Sequence, residues 1–154
     1  MVFILKIDAL LEAASKEIVR RGLKFTIGGN ETKSSKLDEF IDALPMNGRV
    51  SLLSLLEAAG CPIDHVQFIE AVRRVRNIYA HNIKYMDIHL FDLIMKRRDK
   101  SQILKNLSPV APENYDEEAV IKIYSHAEGN KILRFGIIDE TMRFLAIAYH
   151  VALK

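Results

Sequence analysis

A chain of 154 residues, 49% hydrophobic and 27% charged, has the size and composition of one soluble globular domain. Its formal net charge of +2 is too small for a whole-molecule field that would name nucleic acid as the partner. The single cysteine, Cys61, excludes an intrachain disulfide and a cysteine-based zinc site.

The opening "MVFILKID" has too few apolar residues in a row for a signal core or a membrane span, so a cytoplasmic protein with no membrane partner is expected. Residues 3 to 24 then read as a helix, because Ile4, Ile7, Leu10, Leu11, Ala14, Ile18 and Leu23 recur at helical spacing. "TIGGNETKSS" (26 to 35) reads as a polar, glycine-bearing loop. A short helix is expected from about 35 to 44, with Ser34 or Ser35 as N-cap, and another from about 49 to 59, with Gly60 closing it and Pro62 blocking continuation. The next runs from about Ile63 to Asn82 with Asp64 as N-cap. "MDIHLFDLIMKRRDKSQILKNL" (86 to 107) reads as one long helix, basic in its middle. "SPVAPENYD" (108 to 116) is a connection. A short segment from 116 to 125 follows, helical or β because "EAVIKIYSH" is β-branched, and an apolar core helix spans roughly 131 to 153. The expectation is a single all-α domain over 1 to 154, a bundle of about five to seven helices.

Basic residues cluster at "RRGLK" (20 to 24), "RRVR" (73 to 76) and "KRRDK" (96 to 100), while "ENYDEE" (113 to 118) is acidic; such runs ordinarily form solvated helix faces. The helix holding "RRVRNIYAHN" is more specific. With Val72 at zero and about 100° per residue, Phe68, Ile69, Val75, Tyr79 and Ile83 fall within about 60° and form the core stripe. Arg76 falls at about 40°, among them, whereas Arg73 is at about 100°, Asn77 at about 140°, His81 at about 180° and Arg74 at about 200°. A guanidinium cannot shed its charge, so Arg76 needs an acceptor. Either a carboxylate of the same chain meets it, with Asp92, Asp87, Asp139 or Glu140 as candidates, or a bound anion does. The first makes Arg76 a structural clamp and the second makes it part of a site. Arg76 and His81 diverge by about 140°, so closing on one ligand requires either a bend near Ala80 to Asn82 or a second copy related by a two-fold axis.

"RNIYAHN" resembles the motif of the HEPN superfamily (higher eukaryotes and prokaryotes nucleotide-binding), an Arg followed after four to six residues by His on a helix of an all-α domain. Arg76, Asn77 and His81 match it, and "FIEAVRRVRNIYAHN" is similar to small bacterial HEPN-like proteins, including relatives of the mannitol operon repressor. The resemblance implies a metal-independent endoribonuclease, of toxin or defence type with a cognate antitoxin, acting as a homodimer. In that reaction the RNA 2′-hydroxyl attacks its own phosphodiester, leaving a 2′,3′-cyclic phosphate and a 5′-hydroxyl. His81 would exchange the proton, Arg76 would hold the scissile phosphate, and Asn77 would orient one or the other. Arg73, Arg74, Arg97 and Arg98 would carry the RNA backbone. The resemblance equally admits a non-catalytic regulator, a transcriptional repressor or adaptor that binds protein or nucleic acid. Where toxin members paired with a nucleotidyltransferase carry Tyr two residues after the His, this chain has Ile83.

No cofactor is expected, and no metal site, since His65, His89, His126 and His150 form no i, i+4 pair with one another or with His81. "TIGGN" lacks the Lys-Ser/Thr ending of a phosphate-binding P-loop, and Cys61 reads as a packing residue. A third possibility is a helical interaction domain in which Arg76 only pairs with a carboxylate.

Overall fold

The computed structural model describes residues 1–27, 31–81, 85, 87–108 and 114–152, and at 24–27, 31–34 and 152 the backbone alone. Among the described residues there are eight α-helices and no strand: α1 (Val2–Ile27), α2 (Glu31–Ala43), α3 (Leu52–Ala58), α4 (Ile63–His81), α5 (Leu90–Met95), α6 (Lys100–Leu107), α7 (Glu117–Tyr124) and α8 (Gly129–Ala152). The chain is thus an all-α bundle, with one helix more than the upper end of the expected range.

The two longest helices organise it. α1 buries Ile4, Ile7, Leu11, Ala14 and Ile18 and packs against α8, α4, α3 and α2. α4 buries Val66, Phe68, Ile69, Ala71, Val72, Val75 and Tyr79 and is also covered by α6 and α3. The core stripe expected for α4 is observed at Phe68, Ile69, Val72, Val75 and Tyr79, while Ile83 lies outside the described residues. α8 places Leu133, Ile137, Phe144 and Ala148 in the core, together with Thr141, whose hydroxyl donates to the Ile137 carbonyl at 2.7 Å. His65 Nδ1 of α4 lies 2.8 Å from Glu140 Oε1 of α8, without hydrogen-bond alignment.

Several ends differ from the sequence reading. α2 begins at Glu31, so Ser34 and Ser35 lie inside it rather than capping it; within "TIGGN", residues 28–30 fall outside the described residues. α3 starts at Leu52 behind a capping box. The Ser51 hydroxyl accepts from the Ser54 N–H at 3.2 Å, and the Ser54 hydroxyl accepts from the Ser51 N–H at 3.0 Å. Gly60 does close α3. With φ +83° it lets its own N–H reach the Glu57 carbonyl at 3.0 Å and the Cys61 N–H reach the Leu56 carbonyl at 3.0 Å, the paired bonds of a Schellman end. α4 begins one residue before Asp64, with the Pro62 carbonyl accepting from the N–H of His65 at 3.1 Å, so Asp64 sits in the first turn. The β-branched "EAVIKIYSH" is helical, started by Asp116, whose side chain accepts from the N–H groups of Glu118 at 3.0 Å and Ala119 at 3.3 Å.

The largest correction is the helix expected over 86 to 107. It is two helices, α5 and α6, with a turn at Lys96–Asp99 between them. No apolar residue separates Met95 from Ile103, so nothing holds the intervening turns against the core. Folding back there lets Phe91, Leu93 and Ile94 be buried together with Ile103, Leu104 and Leu107. The Phe91 N–H donates to Asn130 Oδ1 of α8 at 3.0 Å, which caps α5 from another element. Of the connection from 108 to 116, residues 109–113 lie outside the described residues.

Candidate functional site

The motif residues lie in the last two turns of α4 and divide between two faces. On the inner face, Arg73 Nη1 donates to Asp8 Oδ2 at 2.8 Å and to Glu12 Oε2 at 3.1 Å, both carboxylates of α1. Arg76 stands one turn along. Its Nε is 3.5 Å from the same Asp8 oxygen, and its Nη1 donates to Asn77 Oδ1 at 3.1 Å. The Asp8 side chain is 7% exposed and that of Arg76 35% exposed. Burial pushes the Asp8 carboxyl above its ordinary value, against the downward pull of the Arg73 and Arg76 guanidiniums.

The anomaly of a cation in an apolar sector is thus answered by a carboxylate of the same chain. It is none of the four candidates. Asp139 pairs with Arg143 along α8 at 3.0 Å, Glu140 lies beside His65, and Asp87 and Asp92 are exposed. Asp8 occupies the apolar face of α1 between Ile4, Ile7 and Leu11, where α1 crosses α4. A carboxylate at a core position of one helix and an arginine at a core position of another is a pattern present in the sequence. Arg73, expected to carry RNA, is part of this charge cluster between α1 and α4.

On the outer face, α4 forms one wall of a cleft of about 490 Å³. Arg74, Asn77, Ile78 and His81 line it from α4, Leu93 from α5, and Lys96, Arg97 and Asp99 from the turn between α5 and α6; Tyr85 completes it. The break in the predicted long helix is what creates this cleft, because it turns Lys96 and Arg97 back toward α4. Ile78 and Leu93 make an apolar floor, with three cations and one carboxylate around it. Asp99 Oδ1 accepts from Arg97 Nε at 3.1 Å and Asp99 Oδ2 lies 3.7 Å from Arg74 Nη1, while Arg74 Nη2 donates to Glu70 at 2.8 Å. Lys96 Nζ stands 6.0 Å from the Tyr85 ring centroid, at the outer limit of a cation–π contact.

Asn77 and His81 therefore share the cleft, while Arg76 does not line it. The separation of Arg76 from His81 expected from helical geometry is observed within the chain; the residues beyond His81, 82–84, lie outside the described residues. Arg76 nevertheless acts on the cleft through Asn77. By occupying Oδ1, its N–H fixes the amide so that Nδ2 is the group left to donate, and Nδ2 has no acceptor among the described residues. The exposed His81 imidazole likewise has no ion-pair partner among the described residues. Of the basic residues expected at an interface, Arg74 and Arg97 line the cleft, and Arg98 is exposed outside it. Lys96 joins them and was missed, since only the turn at 96 to 99 aims it at α4.

Cys61 is half-buried against the core, and burial pushes its thiol up, which suits packing and not nucleophilic attack. Among the described residues, no cluster of three or more His, Cys, Asp or Glu side chains is placed to hold a metal ion, and no helix is long and apolar enough to cross a membrane. Comparison with protein-family models, curated proteins and solved structures gives no match. The likeness to HEPN proteins rests on the sequence run "FIEAVRRVRNIYAHN" with Arg76, Asn77 and His81.

Proposed function

We propose that the protein is an HEPN-like RNA-binding domain of regulatory type that grips a phosphodiester chain in the cleft between α4 and the α5–α6 turn. The observation that carries this reading is the convergence of Arg74, Lys96 and Arg97 with Asn77 and His81 around one solvent-open, apolar-floored cleft. Guanidinium and ammonium groups attract the phosphate oxygens, the Asn77 amide donates a directional hydrogen bond, and Ile78 and Leu93 accept the apolar faces of sugar or base. Arg76 is a positioning residue here, held by Asp8 and holding Asn77.

The test is fluorescence anisotropy with a labelled single-stranded RNA oligonucleotide over a salt series, comparing wild type with Lys96→Ala and Arg97→Ala. Each variant weakens binding several-fold and lowers the slope of log K against log salt by about 0.7, one phosphate contact on single-stranded RNA. RNA binding that is absent, or that both variants leave unchanged, overturns the reading.

Metal-independent endoribonuclease activity is the second reading, favoured by one observation: Asn77 and the exposed His81 stand in the same cleft as the cations. In that chemistry His81 takes the proton from the 2′-hydroxyl as its oxygen bonds phosphorus and returns it to the departing 5′-oxygen, while the cations stabilise charge on the non-bridging oxygens. The pairing of Arg76 with Asp8 counts against it, since the motif arginine is then turned away from any phosphate in the cleft. Incubating RNA with excess chelator separates the readings. Cleavage to 2′,3′-cyclic phosphate ends that falls by about 100-fold or more in His81→Ala establishes the enzyme. Intact RNA with binding retained in His81→Ala establishes the regulator. A cognate antitoxin, as a protein covering the cleft, belongs to the enzyme reading.

A further inference from the structure

α8 carries a second apolar face that nothing in the described chain covers. Its inward residues Leu133, Ile137, Phe144 and Ala148 are buried, yet Phe135 is 70% exposed, Ile138 41%, Met142 59% and Tyr149 62%. With the half-buried Leu145 these outward residues recur at alternating steps of three and four, the spacing of a helix–helix seam. With Ile137 at zero, they occupy about 80° to 160° of the helix circumference, while Asp139 and Arg143 lie on one flank at about 200° to 240°.

We propose that this face is the surface on which a second copy of the chain docks, with the two α8 helices antiparallel about a two-fold axis. Self-complementary charge argues for that occupant. In an antiparallel pair each flank meets its own copy, so the flank bearing Asp139 and Arg143 meets Arg143 and Asp139 of the second copy. Within one helix Arg143 Nε donates to Asp139 Oδ2 at 3.0 Å and Nη2 lies 3.0 Å from the same oxygen, which leaves Oδ1 and Nη1 to reach across. With the axis at the level of Glu140, Phe135 packs on Leu145 of the second copy and Ile138 on Met142. A parallel pair would oppose Asp139 with the other flank, where Arg134 is already held over the Phe3 ring at 4.6 Å.

Area agrees with a dimer. At about 200 Å² for a large side chain, the exposed fractions amount to roughly 450 Å² of apolar surface per copy. Two copies with their polar rim reach about 1,000 to 1,200 Å², the size of a weak, reversible interface. The outward face of α4 offers no such seam: apart from Ile63 at its first position, its exposed residues are Asp64, Gln67, Arg74, Ala80 and His81. On this arrangement the second copy docks away from the cleft between α4 and the α5–α6 turn.

Sedimentation equilibrium of the full chain at roughly 1 to 100 µM tests this. The wild type sediments with the mass of two chains, and Phe135→Glu and Met142→Glu with the mass of one, their helical circular dichroism unchanged. Asp139→Arg raises the dimer dissociation constant about tenfold, and adding Arg143→Asp restores it. A one-chain mass for wild type throughout, or a two-chain mass that survives both Glu variants, overturns the proposal. So does a dimer that Arg74→Glu dissociates, which would place the interface on α4. An Asp139→Arg variant as tight as wild type overturns the antiparallel arrangement.

Discussion

At residue 8 a carboxylate stands inside the contact between α1 and α4 with two guanidiniums around it. Such a group adds modestly to stability while its partners are present, but its loss strands the cations it neutralised. Asp8→Ala is expected to lower the unfolding free energy by about 2 kcal/mol in urea denaturation. That is below the roughly 3 to 5 kcal/mol typical of a fully buried pair, because the side chains of Arg73 and Arg76 are 23% and 35% exposed and partly screened by water. The need for this acceptor was legible from the angular position of Arg76 on its helix. Its identity was not. Periodicity assigns a residue to a face of its own helix but says nothing of which helix lies opposite, so Asp8 of α1, 68 residues away, was not among the four candidates. The same limit explains Arg73, which looked like one more cation in a basic run and is instead the closest partner of Asp8.

Helices as elements were the more readable level, because each is set by local spacing and by its stop residues. α1, α4 and α8 fall within a few residues of their expected bounds, and Gly60 closes α3 as its position before Pro62 suggested. The α5–α6 break was hidden because "KRRDK" contains good helix formers and no Gly or Pro; burial of the apolar groups on either side decides the fold there, and local propensity does not. Gly129 holds another element boundary whose reason is visible only in three dimensions. At the start of α8 its backbone passes so close to Tyr124 of α7 that an added Cβ would collide with the Tyr124 carbonyl and Cα, atoms that cannot rotate aside. Gly129→Ala should therefore destabilise the protein by about 1 to 3 kcal/mol, read as a lowered denaturation midpoint at unchanged slope, although Ala is ordinarily the better helix former.

Across the whole molecule, acid sensitivity follows from charge pairs that join helices. On α1, the Arg21 side chain holds the Glu17 carboxyl below its ordinary value, with Arg20 adding to the effect, and Arg20 extends the network to Asp38 of α2 at 2.8 Å. Because the folded value of Glu17 lies below the unfolded one of about 4.5, its contribution is fully present above pH 4.5 and is lost as pH falls through the folded value. Asp8 has the opposite sign, since its folded value lies above 3.8 and its contribution is lost as pH rises through that value. Glu17→Gln is accordingly expected to flatten the fall in urea stability on acidification from about pH 5 to pH 3, leaving any opposing slope from Asp8 in place. At the cleft, Asp99 stands between Arg74 and Arg97. On the proposed reading, a phosphate takes these guanidiniums over from a resident competitor, so occupancy amounts to an exchange of anions. The net energy of an exchange is a small difference between two similar attractions, and it favours rapid turnover of whatever sits there over lasting capture.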